Sequence, residues 1–203
     1  MATSTLLNFT VPLDGTGETA SEQGLLFPKI KNRFRILFNG FGVATNTSQL
    51  TRQIVECSRP SVKFEDKEMH VYNSIVKYAG KPSWSPLDLT VRDDAQGTIQ
   101  SLVGQQMQRQ FDFTNQASAV SASDYKFEML LQTLDGGNGI DNATVLETWD
   151  LVGCWLADGN YDQFNYESTD PLTIKLTINF DNAIQTGYGI GMAVPRTSGI
   201  LAT

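Results

Sequence analysis

The stretch PLTIKLTINFD, residues 171–181, alternates without a break. Leu172, Ile174, Leu176, Ile178 and Phe180 are apolar, and Thr173, Lys175, Thr177 and Asn179 between them are polar. Successive side chains of a strand point to opposite faces, so one face of this segment belongs to a core and the other looks away from it. A strand this regular needs partners on its edges, which makes the chain a sheet protein. The same period recurs in RFRILFNGF, where Phe34, Ile36 and Phe38 alternate with Arg33, Arg35 and Leu37 up to an Asn39-Gly40 turn, and in SPLDLTVRDD, where Leu87, Leu89 and Val91 oppose Asp88, Thr90 and Arg92. YKFEMLLQTL and TVLETWDLVGCWL continue it, with Trp149, Leu151 and Trp155 expected in phase. TRQIVECSRP reads as a further strand closed by Pro60.

Only one segment changes period. Ala95, Ile99, Leu102, Val103, Met107 and Phe111 recur at helical spacing, and Asp93-Asp94 suit a helix start, which predicts a helix over 94–111. Residues 59–84 are too charged for a central element. Their β-prone pieces around Met69–Tyr72 and Ile75–Tyr78 meet at Asn73-Ser74, the pattern of a projecting hairpin. Residues 1–30, rich in Gly, Thr, Ser and Glu, read as an N-terminal arm, and the glycine-bearing segment 183–203 as a C-terminal tail. Six or seven strands and one helix, without βαβ alternation, predict a mainly β fold: an antiparallel sandwich or barrel with one flanking helix over 31–182 and two extended arms.

Charge narrows the function. The net charge is −7, which argues against a groove that grips nucleic acid by its phosphates. From Asp124 to Asp181 there are eleven acidic residues against Lys126 and Lys175, a net of −9, so the remainder of the chain is near +2. That segment is either a solvated acidic surface or one that repels polyanions. Cys57 and Cys154 lie in apolar runs and fit no zinc spacing; buried free thiols are expected. A single histidine, His70, leaves no basis for a histidine metal site or a Ser-His-Asp triad. The start lacks a basic n-region, no run is long enough for a membrane helix, and the sequons at Asn8, Asn46 and Asn142 carry little weight, so synthesis in a reducing cytosol with no membrane anchor is expected.

Active-site patterns are missing. Gly187, Gly189 and Gly191 lack the strand–helix frame of a dinucleotide loop. Glu65-Asp66 and Asp93-Asp94 are adjacent pairs, unlike the spaced carboxylates of a glycosidase. Trp84, Trp149 and Trp155 suit a core better than a sugar platform. The reading is a protein that is not an enzyme and uses no cofactor or metal.

Taken in order, Arg52 to Asp181 resembles the tail tube proteins of contractile-tailed bacteriophages, a family related to type VI secretion tubes. YNSIVKYAGKPSWSPLDLTVRDD is similar to that family's stretch in which a basic residue and Ala-Gly lead into a tryptophan-bearing strand, an acidic helix start and an amphipathic helix. LETWDLVGCWLADGNYDQFNYESTDPLTIKLTINFD resembles its closing half: an alternating strand, a Gly-x-Trp at Gly153–Trp155, an acidic and aromatic loop, and a last strand ending in Asp. The N-terminal arm, the glycine-rich tail and Leu156 in place of a proline after Trp155 depart from it.

The resemblance implies a β-sandwich that forms hexameric rings stacked into a tube within a virion assembled in a bacterial cytoplasm. Sheath would lie outside, baseplate and tail terminator at the ends, and tape measure protein and then double-stranded DNA in the lumen without specific binding. Strand parity nominates Glu128, Asp150, Thr173, Lys175 and Thr177 for the lumen. Apolar residues outside the core pattern, Leu6, Leu7, Phe9, Val71, Tyr72 and Ile75, are nominated for contacts between rings. The competing readings are a type VI or related injection tube, a carbohydrate-binding β-sandwich using Trp84 or Trp155, and a baseplate hydrolase.

Overall fold

The computed structural model describes residues 28–43, 47–136, 143–186 and 190. The chain divides into two units, Met1–Arg33 and Phe34–Thr203, and the elements below all lie in the second. In chain order they are β1 (Phe34–Asn39), α1 (Ser48–Gln53), β2 (Ile54–Cys57), β3 (Val62–Val71), β4 (Ser74–Trp84), β5 (Leu87–Arg92) and α2 (Thr98–Gln110). There follow the two-residue strands β6 (Phe111–Asp112) and β7 (Ala117–Ser118), then β8 (Phe127–Leu134), β9 (Val145–Tyr161), β10 (Thr173–Asn179) and β11 (Asn182–Gln185). The fold is mainly β and antiparallel, as the alternation predicts.

Seven strands form one hydrogen-bonded sheet: six follow the path β1-β8-β9-β10-β5-β2, and β11 pairs with β9 off that path. β9 is its spine. Its first part pairs with β8 and β11, and Trp155–Tyr161 pairs with β10. A first sheet (β1, β8, β9, β11) thus runs into a second (β9, β10, β5, β2), and the inner faces of both supply one core. Ile36, Met129, Leu151, Leu87, Leu89, Val91, Ile174, Leu176 and Ile178 meet there, with Ile99, Leu102 and Val103 of α2 packed on them. Burial of each such aliphatic side chain contributes roughly 1.5–3 kcal/mol.

Several boundaries differ from expectation. The helix starts at Thr98, not 94, because Gly97 takes a left-handed φ of 70° and ends the turn before it. Asp94 nonetheless caps from outside, its Oδ1 accepting the Ile99 N–H at 3.0 Å. Those charge-assisted hydrogen bonds hold the Asp94 carboxyl below its ordinary range, Ile99 contributing most. Thr51–Gln53, expected in a strand, belong to the short helix α1, which anchors on buried Leu50. The tail expected from 183 begins with a true strand: β11 pairs with β9, and Ala183 is buried against the core. The hairpin turn falls at Tyr72-Asn73, one residue earlier than predicted, since Val71 pairs with Ser74.

The largest correction concerns Trp155. Trp149 and Leu151 face the core, but Cys154 and Leu156 do so next, leaving Trp155 half-buried on the other face. The phase changes at Gly153, whose φ of 72° produces a bulge where the β8–β9 register shifts. The cause is tertiary: a Cβ at Gly153 would overlap the carboxylate of Asp181, which lies across it and pairs with Lys126 at 2.5 Å. Gly-x-Trp and the strand-ending Asp, separate in the sequence, are two halves of one contact. Both cysteines are free, Cys154 buried and Cys57 only partly so.

Candidate functional surfaces

The outer face of the second sheet is mostly polar, with Trp155 and Val55 as its apolar members. Cross-strand pairing sets Lys175 beside Thr90 and Asn160, and Thr177 beside Asp88 and Asp158. Glu56 continues the first of these rows on β2. Thr177 donates to Asp88 at 3.1 Å and Thr173 to Asp162 at 3.2 Å. Hydrogen bonds from the Gln163 N–H and from Thr173 hold the Asp162 carboxyl below its usual range. Hydroxyls, amides and acids tied in this way are wettable, and they surround the two exposed cations of this face, Lys175 and Arg92.

The first sheet turns a different surface outward. Leu37, Leu130, Asp150 and Ile184 form one continuous cross-strand row. Leu146 and Val152 lie on the same side of β9, 50% and 38% exposed. Polar pairs border the row: Arg35 donates to Gln132 at 2.6 Å, and Asn39 to Glu128 at 3.1 Å. The five residues nominated for one lumen therefore split. Thr173, Lys175 and Thr177 share the polar face, whereas Glu128 and Asp150 sit on the apolar one. Parity within a strand separates inside from outside; it does not say which outside.

The third surface is the β3–β4 hairpin, a two-stranded ribbon that pairs with no other strand among the described residues. Val71, Tyr72 and Ile75, nominated for contacts, all lie at its tip and are exposed at 49%, 101% and 55%. Register puts Val71, Met69 and Lys67 on one face with Ser74, Val76 and Tyr78. Tyr72 holds a φ of 46°, which a bulky side chain adopts only at a cost of order 1–3 kcal/mol. The N-terminal nominations Leu6, Leu7 and Phe9 lie outside the described residues.

Buried polar groups set these surfaces relative to the core, and alternation could not have revealed them. Glu147 points inward from β9 and is almost wholly buried. One of its oxygens accepts from Arg59 at 2.6 Å, the Trp149 indole at 2.7 Å and Gln185 at 2.6 Å. The base of the hairpin, the spine strand and β11 thus converge on one carboxylate. On α2, Gln106 is buried, accepting the Gly42 N–H at 2.9 Å and donating to the Tyr125 carbonyl at 2.6 Å. Gln110 both accepts from the Leu156 N–H at 2.8 Å and donates to its carbonyl at 2.9 Å. A side-chain amide there takes the place of a strand on the edge of β9.

Trp84 packs against Phe180 in a tilted contact with ring centroids 5.6 Å apart, and both Trp84 and Trp155 are half-buried, so neither ring is a free platform for a sugar. No group of three His, Cys, Asp or Glu able to hold a metal occurs among the described residues, nor a helix long and apolar enough to cross a membrane.

No protein-family model matches the sequence, and no curated protein sequence is recognisably similar to it. Solved structures are. A chain of the anti-feeding prophage tube-terminating cap superposes with a TM-score of 0.59 at 12% identity, over 82% of this chain and 96% of that one. A chain of the PVC sheath–tube complex, an extracellular contractile injection system in the extended state, gives 0.57 at 14%, over 79% and 93%. The chain has the fold of a contractile-injection tube protein. A chain of the anti-feeding prophage baseplate aligns too, with a TM-score of 0.55 at 13% identity over 80% of this chain and 98% of that one. The tube-protein fold thus extends over nearly the whole of each neighbour, with the polar face, the apolar face and the hairpin as the surfaces this chain builds on it.

Proposed function

We propose that this chain is the structural tube subunit of a contractile phage tail, assembling as hexameric rings whose stacked lumen conducts the genome. The observation that carries the reading is the segregation of the outer surface. One sheet exposes mostly hydroxyls, amides and charged groups; the other, and the hairpin, expose aliphatic groups that are partly in water among the described residues. Rings reconcile the two, because neighbours cover the apolar surfaces while the polar one faces a water-filled channel. Closing a ring also pairs strand edges that a monomer leaves open to aggregation.

The polar outer face of the second sheet, with Thr173, Lys175 and Thr177, lines the channel in this reading; Glu128 and Asp150 face protein instead. The hairpin and the N-terminal arm make the contacts between rings, sheath surrounds the tube, and baseplate and terminator close its ends. Tape measure protein and then DNA occupy the lumen. Each phosphate contact would have to be broken in transit, so a wall that binds no phosphate conducts best. The likeness to injection-system chains supports a second reading, the same tube carrying a protein cargo.

The test is to purify the chain and examine it by size exclusion and negative-stain microscopy. Rings or tubes are expected; a monomer at every concentration and salt condition would end the proposal. Mass spectrometry and nuclease treatment of tubes from the native particle then separate DNA from protein cargo.

A further inference from the structure

Two apolar surfaces of this chain are uncovered among the described residues, and their lengths and charges match. On the hairpin, Val71, Met69, Val76 and Tyr78 form a strip with Lys67 at its inner end, each of the four apolar residues about half exposed. From residue 67 to 71 a strand advances about 13 Å. On the first sheet the row Leu37–Leu130–Asp150–Ile184 crosses four strands, a width of about 14 Å at the usual strand spacing. Leu146 and Val152 extend it along β9.

The charges are complementary. Asp150 lies half-buried in the apolar row, and its carboxylate has no hydrogen-bond or ion-pair partner among the described residues. Leaving a carboxylate among aliphatic groups without a cation is unfavourable. Lys67 stands at the inner end of the apolar strip and pairs with Glu65, at 2.5 Å in an exposed pair that is easily exchanged. Residues 59–84 carry Arg59 and four lysines against three acids, whereas residues 124–181 are net −9.

We infer that the hairpin of one copy lies across the outer face of the first sheet of a copy in the adjacent ring, with Lys67 pairing with Asp150. Met69 and Val76 then cover Leu130 and Val152, and the exposed Tyr72 tip reaches beyond the row. This rests on the tube reading above and adds to it the surface that receives the hairpin. It also explains why an acid that parity assigns to a channel wall sits among leucines.

The experiment uses the full chain with Lys67→Glu, Asp150→Lys and the pair together, scored by sedimentation and tube length in negative stain. Circular dichroism melts check that each variant folds. Each single variant is expected to lower tube yield at least tenfold, and the double variant to restore most of it. A second arm places cysteines at Met69→Cys and Val152→Cys, and mild oxidation of preformed tubes should give a ladder of covalently joined subunits. Wild-type tubes with no loss in the single variants, no rescue in the double variant or no ladder overturn the pairing and leave the tube reading standing. A wild-type chain that forms neither rings nor tubes overturns both.

Discussion

Gly153→Ala tests whether one contact sets the phase of the spine strand. A residue with a Cβ pays roughly 1–2 kcal/mol to hold the left-handed φ at this position. Its methyl group would also overlap the Asp181 carboxylate. Moving that carboxylate breaks the Lys126 pair, whose side chains are 28% and 59% exposed, a loss of about 0–1 kcal/mol after solvent screening. It strains the Asp181 N–H bond to the Val152 carbonyl, 3.0 Å long, worth about 1 kcal/mol. Gly153→Ala should therefore cost roughly 2–4 kcal/mol. In an Asp181→Gly background only the backbone part remains, so the two substitutions should couple by about 1–2 kcal/mol. Urea unfolding followed by tryptophan fluorescence, at concentrations where no assembly sediments, measures all four corners of the cycle. Additivity within about 0.5 kcal/mol would refute the coupled contact. So would a Gly153→Ala variant as stable as wild type.

Glu147→Leu should destabilise by about 2–4 kcal/mol, because the Trp149 indole and the Gln185 amide lose their acceptor inside the protein; a melt unchanged from wild type would show that water replaces the carboxylate. Gln110→Ala uncovers the backbone of Leu156, and light scattering should show faster aggregation of the subunit on warming, whereas Gln108→Ala, on an exposed part of α2, should not. Burial, then nearby carboxylates, pushes the Cys57 and Cys154 thiols up to about 12. These groups favour the fold fully below their unfolded pKa of about 8.5, and that contribution is lost as pH rises from there towards 12. A falling melting temperature across that window is expected, along with alkylation of native protein that is negligible at pH 7; rapid native alkylation of both thiols would contradict it.

The alternation in 171–181 and 87–92 translated directly into structure, since β10 and β5 are regular where they pair and their apolar sets are the core. Where the reading failed, a contact distant in sequence had intervened. Trp155 left the core because Asp181 needs the space beside Gly153. Helix α1 passed unnoticed because one buried residue, Leu50, makes no period. β11 was hidden by its glycine-rich surroundings, and its strand character comes from β9. Among the functional surfaces, the exposed hairpin tip was foreseeable from apolar residues in charged company. The division of Glu128 and Asp150 from Thr173, Lys175 and Thr177 was not, because it depends on which strands neighbour one another.

The β3–β4 ribbon also bears on when the proposed tube would form. Two strands held by their own ladder, which pair with no other strand among the described residues and meet the core at the Trp84 end, open at little cost compared with the seven-stranded sheet. If a neighbouring subunit captures the ribbon as proposed, a free subunit loses conformational entropy on joining, and the first few contacts would barely repay it. Growth on an existing end supplies a rigid receiving face, whereas two free subunits must order both partners at once. In the proposed tube, spontaneous initiation would be slow under that constraint while elongation would not, so many copies could stay in solution and tubes begin only where a template stands.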